Sequence, residues 1–325
     1  MKIVCTTLKG LEPVTSEELK QLTKSKPEVI SDGRLLLQSK NLKSLENART
    51  ISTIYEYVAH FSFKTEQELY DKVKKLKIPV KGSFVVRCCR EGTHDFKSKN
   101  VEVSVGEIIF EQGHKVDLEK PNTTIYVEVV NDVCILGILY KKDLQKRSYK
   151  VRLNPASINA CLAAAMVRLA KIKPKQVIVD PFCKDGVILI EAALLGAKKV
   201  YGFDESMNNV RNAKVNAQVA KVKIEVSKAE IDWLETKFSQ TSVDCIVTNP
   251  PFPARHRSKE DVEKITKEFM HQAVYVLKKT GLLVFVTQDS SLLDKYAEIE
   301  KFKLIKKLEV VLGDTTFSLN VLKPS

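Results

Sequence analysis

The sequence predicts an α/β protein: a doubly wound, mainly parallel sheet closed by a terminal antiparallel hairpin, preceded by two small α+β units. Three observations predict it. Beyond residue 154, short runs rich in Val and Ile alternate with helical segments, the rhythm of a parallel sheet with crossover helices. Before residue 145 the strand and helix patterns are shorter and end on a hairpin signal. Between them, residues 141–152 are rich in Lys and Arg, as expected of a connector.

The elements follow in order. Residues 1–59 open with a strand at 2–6 and a helix at 15–22, where Thr15 and Glu18 have capping-box spacing. A strand is expected at 34–38 and a helix at 42–48. Residues 60–145 begin with an amphipathic helix at 66–76 and a Val-rich strand at 84–89. A polar, basic loop at 91–99 and a helix at 101–111 come next. Strands at 125–130 and 134–139 flank the turn Asn131-Asp132. Residues 146–325 form the doubly wound part: helix 158–170, strand 176–180, a tight turn at 180–186 and helix 187–195. Strand 199–204, helix 206–219 and strand 222–226 continue it. The fourth strand, 243–247, delivers Asn249-Pro250-Pro251-Phe252. Helix 261–277, strand 282–287 and a further helix lead to a terminal pair at 302–312 and 316–322. No internal repeat or low-complexity tract interrupts the chain.

Composition narrows the function classes. With 325 residues, 44% of them hydrophobic and 29% charged, the chain can bury several cores. No run approaches the roughly 18 apolar residues of a membrane span. Residues 1–5 lack the pattern of a signal peptide. The seven cysteines form no CxxC pair and sit mostly in apolar runs, which reads as free thiols in a reducing, cytoplasmic compartment. The five histidines show no metal-ligand spacing, so no metal is expected. Net charge is +13, split as +6 over residues 1–150 and +7 over the remainder. A spread excess of this kind suits an extended polyanion lying across more than one domain.

Three turns at consecutive strand ends carry the chemistry. In Asn249-Pro250-Pro251-Phe252 the prolines fix φ and lack N–H groups, so Asn249 is held rigidly where open α/β sheets bind ligands. A side-chain amide carbonyl beside a backbone carbonyl can accept both hydrogen bonds of one exocyclic amine. An aromatic ring can stack on the base that bears it. The turn from Asp180 through Pro181 and Phe182 to Gly186 brings backbone N–H groups and a helix N-terminus toward a ligand. Asp204, about twenty residues on, is placed to accept ribose hydroxyls. Each turn alone is equally a cap or a core feature; their order is what argues for a site. A second cluster lies in the basic loop, where Arg87, Arg90, His94, Lys97 and Lys99 surround Phe96. A solvated surface would look similar.

On these motifs the C-terminal region, residues 150–322, resembles a Rossmann-like class I S-adenosylmethionine-dependent methyltransferase of the amino-methylating group. Arg152-Leu153-Asn154-Pro155-Ala156-Ser157 resembles the segment before the first strand in THUMP-containing tRNA guanine-N2 methyltransferases. Residues 84–96 and 101–106 resemble the THUMP domain. Gly10-Leu11-Glu12 and Glu17-Glu18-Leu19 resemble the ferredoxin-like domain that precedes it. The resemblance implies domains at 1–59 (ferredoxin-like), 60–145 (THUMP, RNA-binding) and 146–325 (methyltransferase). It implies a cofactor site of Asp180, Pro181, Phe182, Gly186, Asp204, Glu230 and Asn249. Asn249 and Pro250 would receive the guanine amine and Phe252 would stack on the base. Arg87, Arg90, His94, Lys97, Lys99 and Arg152 would meet tRNA. The implied enzyme is monomeric, uses S-adenosylmethionine, and with Asn rather than Asp at 249 acts on guanine 6 of the acceptor stem. Guanine 10 and an RNA-binding protein of impaired activity are the alternatives. Three positions depart from the family: Lys184-Asp185-Gly186-Val187 replaces Gly-Ser-Gly-Thr, Lys228 and Glu230 flank the usual adenine-reading acid, and Pro253 replaces Gly.

Overall fold

A computed structural model describes residues 1–251 and 258–325. The chain divides into two compact units, Met1–Thr7 with Ser16–Leu144, and Leu8–Thr15 with Gln145–Ser325. The N-terminal elements are β1 (Lys2–Thr6), α1 (Glu12–Thr23), β2 (Glu28–Ser31), β3 (Arg34–Gln38), α2 (Leu42–Leu45), β4 (Thr53–Ser62), α3 (Glu66–Lys74), β5 (Ser83–Glu91), α4 (Ser98–Glu111), β6 (Lys115–Val116), β7 (Thr123–Val130) and β8 (Val133–Lys141). Their strands form one eight-stranded sheet in the order β2-β3-β1-β4-β8-β7-β5-β6. The boundary expected at 59/60 thus falls inside β4, and the stretches expected as two units share a sheet.

Three apolar clusters hold this unit. Ile3, Cys5, Leu19, Leu35, Leu45 and Ile54 form one. Leu69, Phe84, Val101, Val105, Ile125 and Leu136 form the second, against α3 and α4. Val4, Tyr55 and Ile135 form a smaller third cluster. Inward-pointing charge accompanies it: Arg34 and Glu128 are both buried and 2.8 Å apart, and Arg34 also meets Glu91 at 2.7 Å. Tyr55 Oη donates to the other oxygen of Glu128 at 2.7 Å, so the buried carboxylate is fully engaged. The β7–β8 hairpin turns where expected, with Asn131 at φ 52°, the left-handed conformation a two-residue turn demands. Glu18 does not cap α1. It lies within the helix, buried, and accepts from the backbone N–H groups of Arg49 and Thr50 at 2.9 Å each. The helix starts three residues earlier than the capping-box spacing predicts, with Glu12 accepting from Gly10 N at 2.7 Å.

The second unit comprises α5 (Ala160–Leu169), β9 (Val177–Asp180), α6 (Val187–Leu194), β10 (Lys199–Asp204), α7 (Met207–Val219), β11 (Glu225–Lys228), a 3-10 turn (Ile231–Trp233), α8 (Leu234–Lys237), β12 (Val243–Thr248), α9 (Lys259–Val276), β13 (Leu277–Thr287), α10 (Ser291–Ile299), β14 (Phe302–Leu312) and β15 (Thr315–Pro324). The seven strands run β11-β10-β9-β12-β13-β15-β14. Neighbours from β11 to β13 pair parallel, and β15 pairs antiparallel with both β13 and β14. This is the doubly wound sheet with a terminal hairpin that the sequence predicts. Polar caps set the helix starts: Asn159 for α5, Ser206 for α7 and Ser258 with Asp261 for α9. Leu8–Thr15 packs in this unit, with Leu11 and Val14 buried in the core of α5, α6 and β9. Gly10, at φ +93°, is pressed so close to Glu309 that a Cβ would lie 1.7 Å from its carbonyl oxygen. Only glycine fits there.

The unit's chain passes from β9 outward to β10 and β11, then returns to β12 on the other side of β9. That reversal opens a crevice at the carboxyl ends of β9 and β12.

Candidate active site

Asp180 ends β9 and is 1% exposed. Its Oδ1 accepts from Thr248 Oγ1 at 2.6 Å and from Phe182 N at 3.1 Å. It therefore stitches the end of β9 to the end of β12. Burial lifts its carboxyl to about 7, against the hydrogen bonds from Thr248 and Phe182 and the Lys184 charge, which pull it down.

The turn after Asp180 is anchored to β10. Cys183 N donates to Phe203 O at 2.9 Å, Lys184 N to Asp204 Oδ2 at 2.9 Å, and Gly186 N to Cys183 O at 2.8 Å. Lys184 and Gly186 both take left-handed backbone, at φ 48° and 81°. A Cβ on Gly186 would come within 2.9 Å of the Ala213 Cβ, so this glycine seats α6 against α7. Phe182 leans edge-on against Phe269, with centroids 5.4 Å apart.

Asp204 is 7% exposed and already engaged. Its Oδ1 accepts from Ser206 N and Asn209 Nδ2, each at 2.9 Å, and its Oδ2 from Lys184 N. A carboxylate has about four acceptor positions, so roughly one remains for a ligand. The expectation that this one acid accepts both hydroxyls of a ribose is therefore reduced to one hydroxyl. The neighbouring Glu205, exposed, lines the same cavity.

Beside these turns lies a cavity of about 410 Å³, within the ~300–1,000 Å³ range of small-molecule sites. Pro181, Phe182, Ala229, Ile231 and Ile265 give it apolar walls, while Asp204, Glu205 and Glu230 supply carboxylates. The expected residues Pro181, Phe182, Asp204 and Glu230 thus come together here. Asp180 and Asn249 instead line a narrow space of about 10 Å³ next to it.

Asn249 is 8% exposed, and its Oδ1 is buried without a hydrogen-bond partner among the described residues. Its main-chain oxygen accepts from Lys184 Nζ at 3.2 Å. Pro250 is buried behind it and Pro251 reaches the cavity wall. Phe252 lies outside the described residues.

Two residues not expected at the site, Asn209 and Asn216, join Asn154 in fastening residues 152–156 to α7. Asn154 Nδ2 donates to Asn209 Oδ1 at 2.8 Å; Asn216 Nδ2 donates to Arg152 O at 2.8 Å and to Asp185 O at 2.9 Å. Their spacing of seven puts both on one face of α7, the signal that could have found them. The same bonds hold the Arg152 backbone, while its side chain is exposed.

In the first unit the basic loop is knit together. Arg90 Nη1 donates to His94 Nδ1 at 2.9 Å, and His94 Nε2 donates to Asn131 O at 2.6 Å. The Arg90 guanidinium lies 5.9 Å from the centre of the buried Phe96 ring. Arg87 Nη1 donates to Val86 O at 3.3 Å, and Glu102 accepts from Cys88 N at 3.0 Å; both cap polar groups of β5. Lys97 and Lys99 are exposed, the latter 3.3 Å from Glu102.

Among the described residues no group of three or more His, Cys, Asp or Glu is placed to hold a metal ion, and no helix is long and apolar enough to cross a membrane.

Comparison with known proteins agrees with this geometry. The profile "RMKL-like, methyltransferase domain" matches residues 147–317, and the THUMP domain profile matches 63–139. A tRNA (guanine(6)-N2)-methyltransferase of Methanocaldococcus jannaschii is 25% identical, covering 94% of this chain and 95% of its own. A tRNA (guanine(10)-N2)-dimethyltransferase of Pyrococcus abyssi is 30% identical, covering 91% and 92%. The crystal structure of TrmN from Thermus thermophilus superposes with a TM-score of 0.82 at 28% identity, over 100% of this chain and 99% of that one. By strand order, site geometry and both profiles, the chain belongs to the RMKL-like methyltransferases that carry a THUMP domain.

Proposed function

We propose that this protein transfers a methyl group from S-adenosylmethionine to the exocyclic N2 of a guanine in tRNA, at position 6 of the acceptor stem. The observation that carries the reading is the buried Oδ1 of Asn249, just past the end of β12, which has no hydrogen-bond partner among the described residues. Leaving such an acceptor unpaired costs about 1–3 kcal/mol, a cost that an incoming amine removes. The Pro250 carbonyl follows it on rigid backbone, so the two oxygens suit the two hydrogens of one –NH₂ group. As the nitrogen forms its new bond it gains positive charge, which these carbonyl dipoles stabilise without rearranging. Phe252 would take up the stacking that the base loses on leaving its helix.

The cavity fits the donor: apolar walls for a flat base, and Asp204, Glu205 and Glu230 as hydrogen-bond acceptors at its polar rim. Bound there, S-adenosylmethionine supplies an electrophilic methyl on a sulfonium. Holding the two reactants in line is worth on the order of 7–11 kcal/mol. The THUMP domain at 60–145, preceded by the ferredoxin-like stretch at 1–59, would grip tRNA through its phosphates and shape, with Arg87, Arg90, His94, Lys97 and Lys99 as contacts there and Arg152 in the methyltransferase domain. The protein would act as a cytoplasmic monomer. Position 6 rather than 10 is proposed on Asn, in place of Asp, at 249; relatives of both kinds match across nearly the whole chain.

The test is incubation with unmodified tRNA and methyl-labelled S-adenosylmethionine. Label in N2-methylguanine supports the reading; no transfer to any guanine by folded protein overturns it.

A further inference from the structure

Lys184 touches both halves of the site. Its backbone N–H holds Asp204 at the end of β10, and its ammonium donates to the main-chain oxygen of Asn249 beyond the end of β12, at 3.2 Å. It does so from a left-handed backbone position, φ 48°, that a side chain rarely adopts.

Its position decides how far the cavity reaches. Lys184 lines the cavity of about 410 Å³ and also the space of about 10 Å³ that contains Asp180 and Asn249. The smaller space has room for about one water. Among the described residues Lys184 is the charged side chain that lines both, so a group reaching from the cavity to Asn249 meets its ammonium. The donor in the reading above carries such a tail, ending in a primary ammonium and a carboxylate. Lysine presents the same ammonium on a flexible stem of similar length, already seated on a main-chain carbonyl. Two ammonium groups on one carbonyl repel, so one must leave.

We propose that Lys184 is a built-in competitor for the tail ammonium of the methyl donor, and that its swing into the wide cavity opens the way to Asn249. The inference rests on the cofactor reading of the site. Lys184 thereby sets the affinity for the donor and for its demethylated product, both of which carry the tail. Ligands without the tail are indifferent to it.

Calorimetry on the full chain tests this with S-adenosylhomocysteine, which has the tail, and 5′-methylthioadenosine, which lacks it. Lys184→Gly suits the backbone conformation, and Lys184→Met keeps the stem without the charge, so loss of fold in one leaves the other. Both variants should bind S-adenosylhomocysteine at least tenfold more tightly than the wild type, with 5′-methylthioadenosine changed less than threefold. Equal affinity for S-adenosylhomocysteine in all three proteins would overturn the proposal. So would weaker binding by Lys184→Met, which would make Lys184 a receptor for the tail carboxylate. Failure of every protein to bind either compound would instead overturn the cofactor reading, and this inference with it.

Discussion

The turn after β12 and the loop after β5 occupy similar places, each leaving the carboxyl end of a strand, yet the polar atoms they present differ in kind: a carbonyl acceptor in one, cationic donors in the other. At Asn249 a buried carbonyl oxygen has no partner among the described residues and sits beside two prolines. In the basic loop, Arg90 Nη1 bonds to His94 and His94 to the Asn131 carbonyl, Arg87 Nη1 meets the Val86 carbonyl of its own strand, and Arg90 Nε is a buried donor without a partner among the described residues. Chemistry on a single nitrogen needs an acceptor held open in advance. The proposed contact with a polyanion would need positive charge at the surface, which the exposed Lys97 and Lys99 present beside Arg90 and His94.

The widest break between the two regions is Asn249→Ala. Transfer should fall at least about 10²–10³-fold, the cost of removing one preorganised polar group. tRNA affinity, measured by filter binding, should stay within about twofold of the wild type, because phosphate contacts dominate it. An equal loss in both assays would dissolve the distinction.

The first unit should break most readily at its buried ion pair. Arg34→Ala leaves Glu128 buried and unpaired, a loss of roughly 3–5 kcal/mol. Thermal unfolding followed by circular dichroism should show an earlier transition. S-adenosylhomocysteine binding below that temperature should be unchanged, since its site lies in the other unit.

Asp180 sharpens the comparison through pH. Its folded-state carboxyl is raised to about 7, above its unfolded value, so its contribution to stability is present below about pH 4 and is lost as pH rises through 7. Asp180→Asn keeps an oxygen for Thr248 and Phe182 but cannot ionise. The melting temperature of the variant relative to the wild type should rise between about pH 4 and 7 and level off above. A difference independent of pH would mean that Asp180 is ionised in the fold.

The smallest effect is expected at the exposed lysines. Lys97→Ala with Lys99→Ala should weaken tRNA binding severalfold and flatten its salt dependence by roughly one unit of slope or a little more, with little change in single-turnover rate at saturating tRNA. No change in the salt slope would remove the loop from the tRNA interface.

Much of the second unit is legible in the sequence because its punctuation is local. Val243–Thr248 is a mainly apolar run, broken by Asp244 and followed by two prolines, and Asp180 and Asp204 close strands that lead into α6 behind Gly186 and α7 behind the cap Ser206. The cavity's composition is less legible. Asp204 reads as an open acid, but three of its acceptor positions are taken by N–H donors of Lys184, Ser206 and Asn209. Only the folded turn shows that Lys184 reaches Asn249. In the first unit β4 escapes detection because it alternates poorly: its pairing with β8 slips twice, between Ile54 and Tyr55 and between Tyr57 and Ala59. Leu8–Thr15 escapes because its partners, such as Glu309 and Val311, lie some three hundred residues away. β11 is shifted to Glu225–Lys228 because a strand pairing along β10 on only one side needs little apolar pattern of its own.

The proposed reaction is methyl transfer from S-adenosylmethionine, beside Asn249, to the N2 of guanine 6 in tRNA. Mass-spectrometric mapping of unmodified tRNA after incubation with S-adenosylmethionine and the wild-type protein tests it most directly. The account predicts N2-methylguanine at position 6 and none when that guanine is replaced by adenine. Methylation confined to guanine 10, or none at all from protein that binds S-adenosylhomocysteine, would contradict it.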